Sequence, residues 1–165
     1  MSVIEVSTTG PITSLQAAID AASPGDTILV GPGTYAEDVI VTKPITLLST
    51  DGPGSTIIDG QGVALGAIEI DPNVNGVTIG GIGQGFTILG NNGNGAIEKA
   101  AIYIQGNHSG ITIQGNVVEA RGDAGLLSEF GAVVTGVVVD GNTFTGQTFE
   151  GSEPGGTGFG TQFNV

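Results

Sequence analysis

Acidic and amide side chains recur at matching positions in four short segments of the chain. The segments are "AIEID" (67–71), "AIYIQ" (101–105), "GLLSEF" (125–130) and "GFGTQF" (158–163). Side chains alternate between the two faces of an extended strand, so each segment can turn apolar residues to a core and polar residues to solvent. The expected inward residues are Ile68, Ile70, Ile102, Ile104 and Leu126. The expected outward residues are Glu69, Asp71, Tyr103, Gln105, Leu127, Glu129 and Gln162.

The outward residues form a candidate carbohydrate-binding surface if the four segments stack in register. Strands in a sheet lie about 4.8 Å apart, so Asp71, Gln105, Glu129 and Gln162 would make a column of carboxylates and amides, with Tyr103 beside it. An aromatic face next to hydrogen-bonding groups at fixed spacing suits a sugar chain. The alternative is a solvated sheet face whose amides bond from one segment to the next.

The same face could also carry catalysis. Inverting glycosidases hold two carboxyl groups about 6.5–9.5 Å apart, and positions i and i+2 of a strand are about 6.7 Å apart. Glu69, Asp71 and Glu129 are therefore candidate acid and base groups of a glycosidase.

A second group of charges precedes "GLLSEF". Glu119, Arg121 and Asp123 are expected to lie together on a loop before this segment. The two carboxylates, like that of Asp71, are candidate calcium ligands, and Arg121 is a candidate base of a calcium-assisted lyase. The alternative is a surface ion pair, which contributes little to stability. His108, in the turn "GNHSG", has neither a second His nor a nucleophile beside it.

The elements that position these residues are indicated by an internal repeat. "GITIQGNVV" (110–118) and "GVVVDGNTF" (136–144) carry nearly the same pattern 26 residues apart. Three series of strand-like segments recur in this way with offsets of 24–34 residues, which predicts a solenoid of about five three-strand coils. In this register Asn116 lies above Asn142, and we expect the two side chains to form a structural asparagine ladder.

A single helix is expected ahead of the coils, over residues 13–22. Thr13 is the expected N-cap, with Gln16 three residues later as in a capping box. One apolar stripe runs along the helix, formed by Leu15, Ala18, Ile19 and Ala22. We expect this helix to cover the first open edge of the sheets, and the coils to occupy 26–165 of a single domain spanning 1–165.

Composition excludes several classes of partner. Sixteen acidic residues against three Lys and Arg give a net charge of −13, which repels nucleic acid and anionic membranes. An acidic polysaccharide would need a bridging cation such as Ca²⁺; no other cofactor is expected. The chain has no cysteine, no apolar run long enough for a membrane span and no visible signal peptide in residues 1–30.

The last strand-like segment suggests self-association. "GFGTQF" reads as the first strand of another coil, which would present Phe159, Phe163 and an unpaired parallel edge. Such edges normally acquire a cover or a partner. We therefore expect either end-to-end stacking of copies through this coil or a longer parent chain.

Residues 14–60 resemble the opening of the right-handed parallel β-helix proteins of the pectin lyase-like superfamily. "SLQAAIDAA", "GDTILVGPGTY" and "VIVTKPITLLS" are particularly similar to the start of pectin methylesterases and periplasmic β-helix repeat proteins. The later repeats resemble the general β-helix repeat of the superfamily. The resemblance implies an all-β, right-handed, single-stranded parallel β-helix.

The catalytic motifs of the superfamily's enzymes have no match in this sequence. Those of the methylesterases, the polygalacturonases and the alginate epimerases are all missing. The leading hypothesis is a non-catalytic extracellular or cell-surface module that is structural, self-associating or glycan-contacting. The alternatives are a polysaccharide-active enzyme, either a calcium-assisted lyase or a glycosidase, and a fragment of a phage tailspike or adhesin.

Overall fold

The computed structural model describes residues 1–91, 99–122 and 124–146, and every strand pairing in it is parallel. One helix, α1 (Leu15–Ala21), is found among these residues. The strands are β1 Val3–Val6, β2 Thr27–Val30, β3 Gly33–Tyr35, β4 Val39–Val41, β5 Thr46–Ser49, β6 Thr56–Asp59, β7 Gly66–Ile70, β8 Thr78–Ile79, β9 Thr87–Leu89, β10 Ala100–Ile104, β11 His108–Ser109, β12 Thr112–Gln114, β13 Val117–Ala120, β14 Ala124–Ser128, β15 Val134–Thr135, β16 Val138–Asp140 and β17 Thr143–Gly146.

These strands form three long ladders and one short one. The first ladder has the order β1-β2-β5-β8-β12-β16, the second β3-β6-β9-β13-β17 and the third β4-β7-β10-β14. Strands β11 and β15 pair at a corner. The predicted parallel β-helix of about five coils is thereby confirmed.

The register follows the repeat that the sequence shows. Thr112 N donates to Val77 O, and Val138 N donates to Ile111 O, both at 2.8 Å. Thr78 and Thr112, 34 positions apart, and Thr112 and Val138, 26 positions apart, are therefore vertical neighbours.

Aliphatic columns fill the space between the ladders. In the first ladder Ile28, Leu47, Ile79 and Ile113 stack in register, and each is 0% exposed. Full burial of such a side chain stabilises by about 1.5–3 kcal/mol, whereas ordering each backbone residue costs about 1–2 kcal/mol. One coil alone cannot offset that cost, so the coils are stable only when stacked.

The glycines of the repeated phrase hold the corners between strands. Gly110 and Gly136 have φ of 68° and 60°, and Gly115 and Gly141 have φ of 67° and 61°. These left-handed conformations are open to glycine at little cost. The preceding coil also packs closely here, because a Cβ on Gly115 would lie 2.3 Å from Gly81 O.

The helix caps the third ladder, but its own N-cap differs from the prediction. Ser14, not Thr13, is the N-cap, and its side chain accepts a hydrogen bond from Ala17 N. Glu37 caps two further N–H groups of the first turn, because its carboxylate accepts bonds from Leu15 N at 2.7 Å and Gln16 N at 3.2 Å. The prediction of Thr13 was wrong because the Ser14 hydroxyl, one residue further along the chain, is the group that accepts from Ala17 N.

Gln16 has a different role, on the exposed edge of β4. Its side-chain amide accepts from Ile40 N at 2.7 Å and donates to Ile40 O at 3.3 Å. The side chain thus occupies the edge as a neighbouring strand would, while the apolar stripe of α1 is buried as expected.

Among the described residues, no helical segment has the length and hydrophobicity of a membrane span.

The N-terminal strand is tied to the first coil by a carboxylate. Asp26, whose side chain is 8% exposed, accepts bonds from Ser2 N at 2.6 Å and Ser23 N at 2.9 Å. The N–H of Ser2, and to a smaller extent that of Ser23, stabilises the charged form of Asp26. These bonds hold the pKa of Asp26 below its usual value.

The corner geometry predicts which glycines can be replaced. We expect Gly115→Ala to lower the free energy of unfolding by at least about 2 kcal/mol, since it combines a left-handed φ with a clash against Gly81. The matched control is Gly54→Ala, where a Cβ would meet nothing within 4 Å. Urea denaturation of both variants is the measurement, and equal losses would contradict the corner's proposed importance.

Candidate functional site

The predicted column of polar side chains lies along one edge of the third ladder. Asp71, Gln105 and Glu129 each directly follow a strand of this ladder. Gln105 N donates to Ile70 O at 3.0 Å and Glu129 N to Ile104 O at 2.9 Å, so the three residues stack in register. Asp71 and Gln105 are half-buried and Glu129 is exposed. Gln162, the fourth expected member, lies outside the described residues.

The structure corrects the expected exposure of Tyr103 and Glu69. The two residues are register partners, as predicted, but Tyr103 is 2% exposed and Glu69 is 9% exposed. Leu65 N donates to Glu69 Oε2 at 3.2 Å, and a Cβ on Gly66 would lie 3.0 Å from that of Tyr103. The chain around residues 65–66 therefore packs against this face. Tyr103 therefore offers no exposed ring face to a sugar. Glu69 is too buried to form an exposed pair of carboxyl groups with Asp71.

Three side chains that the sequence analysis missed hold the preceding segment, 61–64. Asp38 accepts three of its backbone N–H groups at 2.6–2.8 Å. Asn91, which is 0% exposed, accepts from one N–H and donates to one carbonyl, both at 2.9 Å. The Lys99 ammonium also donates to carbonyls of this segment. Because the segment has no regular pattern, nothing in the sequence indicates these contacts.

The charged group around Arg121 is an ion-pair cluster. Arg121 Nη1 lies 2.6 Å from Asp59 Oδ1, and its Nε lies 3.4 Å from Glu119 Oε1. Glu119 lies on β13 rather than on a loop, and Asp59 lies on β6, two strands away in the same ladder. All three side chains are 30–46% exposed, so the pairs stabilise little. The Nη1 and Nε groups of the guanidinium thus already face carboxylates.

Two of the three candidate calcium ligands, Asp71 and Glu119, lie in different ladders. Asp71 follows β7 in the third ladder, whereas Glu119 is on β13 in the second. Asp123, the third candidate, lies outside the described residues. Among the residues that are described, no group of three or more His, Cys, Asp or Glu side chains is arranged to hold a metal ion.

Asn116 and Asn142 form hydrogen bonds along the second ladder. Asn116 Nδ2 donates to Asn142 Oδ1 at 3.0 Å and to Ile79 O at 3.0 Å. Asn116 Oδ1 in turn accepts from Phe86 N at 2.9 Å, and Asn142 Nδ2 donates to Ile113 O at 2.7 Å. Asn116 is 1% exposed. These amides therefore link three successive coils at one corner.

His108 also bonds to the backbone of its surroundings. It is 3% exposed, with Nδ1 2.7 Å from Val74 O and Nε2 2.8 Å from Gln105 O. A backbone carbonyl oxygen thus faces each ring nitrogen, and the ring contacts two successive coils. The expected self-association residues, Phe159 and Phe163, lie outside the described residues.

Comparison with known proteins gives relatives in sequence and in structure. No model of a known protein family matches the chain. Over 116 residues, 69% of the chain, it is 34% identical to a cell surface glycoprotein of Methanothermus fervidus and spans 17% of that protein. A pectin methylesterase mutant solved with a hexasaccharide is similar at a TM-score of 0.59 and 14% identity. The pectin methylesterase of Erwinia chrysanthemi is similar at a TM-score of 0.52 and 13% identity.

These comparisons establish the fold. Each pectin methylesterase match covers 87% of this chain and 49% of the enzyme. The chain is therefore a parallel β-helix protein of the pectin lyase-like fold and spans about half the length of these enzymes. At such low identity the likeness carries no activity.

The Asn116 contacts predict a large loss of stability on substitution. We expect Asn116→Ala to lower the free energy of unfolding by about 2–4 kcal/mol, because it leaves the buried Phe86 N without its acceptor and removes the side-chain bonds to Ile79 O and Asn142 Oδ1. Asn75→Ala is the control, since Asn75 is exposed and accepts one bond, from Ser109 N. Urea denaturation that finds similar losses for the two variants would contradict the structural role of Asn116.

Proposed function

We propose that this chain is a non-catalytic structural module of an extracellular or cell-surface protein. The proposal rests on the hydrogen bonds that the buried polar side chains of this chain make. Asn116, His108 and Asn91 all bond to backbone groups of neighbouring coils rather than lining a cleft. Such contacts stiffen a stack of coils, and they offer nothing to a substrate.

The surface location is supported by the Methanothermus fervidus relative. That protein is described as a cell surface glycoprotein, and the similar region is a small part of it. A rigid solenoid segment within a long surface protein would separate or position other parts of that protein. The net charge of −13 would keep such a segment soluble and away from anionic surfaces.

The proposed partners are further β-helix coils, either of the same polypeptide or of a second copy. In the described part of the chain, β14, β16 and β17 each pair on one side only. An unpaired parallel edge is a template for another strand. Phe159 and Phe163 remain the proposed contacts of an end-to-end association.

A second candidate function is binding of a glycan, and it is favoured by the column of polar side chains at the end of the third ladder's strands. Asp71, Gln105 and Glu129 stand in register at the surface, although the aromatic platform beside them is buried. One of the pectin methylesterases with this fold was solved with a hexasaccharide. An acidic polysaccharide would reach this column through Ca²⁺, because carboxylates repel each other without a bridging cation.

One screen separates the structural module from an enzyme and from a glycan-binding protein. Turnover and binding are measured on polygalacturonate, alginate and neutral glycans, with and without Ca²⁺, for the wild type, Asp71→Asn and Gln105→Ala. The control is Glu5→Gln, an exposed carboxylate on β1 in the first ladder. We expect neither turnover nor binding by any of the proteins.

Two outcomes would overturn this proposal. Turnover lost in Asp71→Asn but kept in Glu5→Gln would make the chain a polysaccharide-active enzyme. Binding without turnover, lost in Gln105→Ala and kept in the control, would establish glycan contact as the function. Light scattering on the same samples reports self-association, and a stable trimer would favour the tailspike or adhesin alternative.

A further inference from the structure

Residues 107–109 read Asn-His-Ser, the one Asn-Xaa-Ser/Thr tripeptide in the 165-residue sequence. This pattern, when the middle residue is not proline, is the acceptor motif for N-linked glycosylation. The motif lies at the corner where β11 begins, and both Asn107 and Ser109 are exposed. We propose that Asn107 is a site of N-glycosylation.

The modification joins a sugar to the side-chain amide of Asn107. Its Nδ2 displaces the phosphate leaving group at the anomeric carbon of a lipid-phosphate-linked oligosaccharide. An N–C bond forms as the C–O bond to the phosphate breaks, and one amide proton passes to a base of the transferase. The amide keeps one N–H and its carbonyl oxygen.

The side-chain geometry of Asn107 leaves room for the glycan. Oδ1 accepts a hydrogen bond from Val133 N at 2.7 Å, and no bond of Nδ2 is found within the described ranges. The carboxamide is planar, so Nδ2 points to a different side of the group from Oδ1. A sugar on Nδ2 is therefore compatible with the bond to Val133, and the folded corner can carry it.

The turn beside Asn107 would gain cover from a glycan. Val133 and Phe130, both in the turn after β14, are 62% and 70% exposed. Exposed apolar groups of this size favour association with other molecules. The apolar faces of the first sugar rings could lie over these side chains, whereas a polar sugar chain keeps the corner solvated.

The timing of the modification also follows from the structure. His108, between the acceptor Asn and the Ser, is 3% exposed, and a backbone carbonyl oxygen lies 2.7–2.8 Å from each ring nitrogen. A transferase that binds an extended tripeptide could not reach it in this corner. The sugar must therefore be added before the coil that contains residues 105–135 folds.

The test uses the full chain, secreted with an added leader from a eukaryotic host that performs N-glycosylation. The readouts are the intact mass, peptide mapping and removal of the glycan by an endoglycosidase that converts the modified Asn to Asp. We expect a glycan on Asn107, its loss in Asn107→Gln and Ser109→Ala, and its retention in Ser109→Thr. Asn75→Gln, an exposed amide outside any acceptor motif, is the control and keeps the glycan.

A reference acceptor motif added at one terminus makes a negative result decisive. If that motif is modified and Asn107 is not, the proposal is wrong. The timing is tested with purified transferase and its lipid-linked donor, for which the urea-unfolded chain should be a substrate and the folded chain should not. Efficient modification of the folded chain would contradict the timing. Because the leader is supplied, neither result depends on the module being structural or catalytic.

Discussion

The parallel backbone ladder between coils is the constraint on which the rest of this molecule depends. It places Thr78, Thr112 and Val138 above one another although they are distant in the chain. The aliphatic columns, the corner glycines and the amide links all require this register. A shift of one residue would turn every inward side chain of a coil outward. The repeated phrase at residues 110–118 and 136–144 is therefore a repeated structural requirement, and it carries no functional information by itself.

Polar side chains in this protein serve the stack more than its surface. Glu37 caps the N-terminus of α1, and Gln16 covers the free edge of β4. Asp38 holds the segment 61–64. A buried polar group is costly unless it is bonded, and here the partners are backbone groups that the coil geometry leaves available. Because these polar side chains support the stack itself, the chain can share a fold with enzymes whose catalytic motifs are not in this sequence.

The sequence predicts the fold well because the repeat reports vertical neighbours directly. The aligned phrases place Asn116 over Asn142, and the structure joins these side chains by a hydrogen bond. The site is less predictable, since exposure depends on irregular segments between the strands. Tyr103 alternates with inward isoleucines, yet the chain near Gly66 packs against it. Likewise the Glu37 carboxylate binds the first N–H groups of α1 from more than 20 residues further along the chain, a contact that local patterns do not contain.

Distances between spin labels along the first ladder test the stacking most directly, and the cysteine-free chain is well suited to them. Labels on Thr27→Cys and Val138→Cys are separated by four strand spacings in the structure, about 19 Å along the ladder. Moving the first label to Val3→Cys adds one spacing, about 5 Å. The parallel stack predicts two narrow distributions that differ by this increment. A broad distribution, or no increment between the pairs, would contradict it.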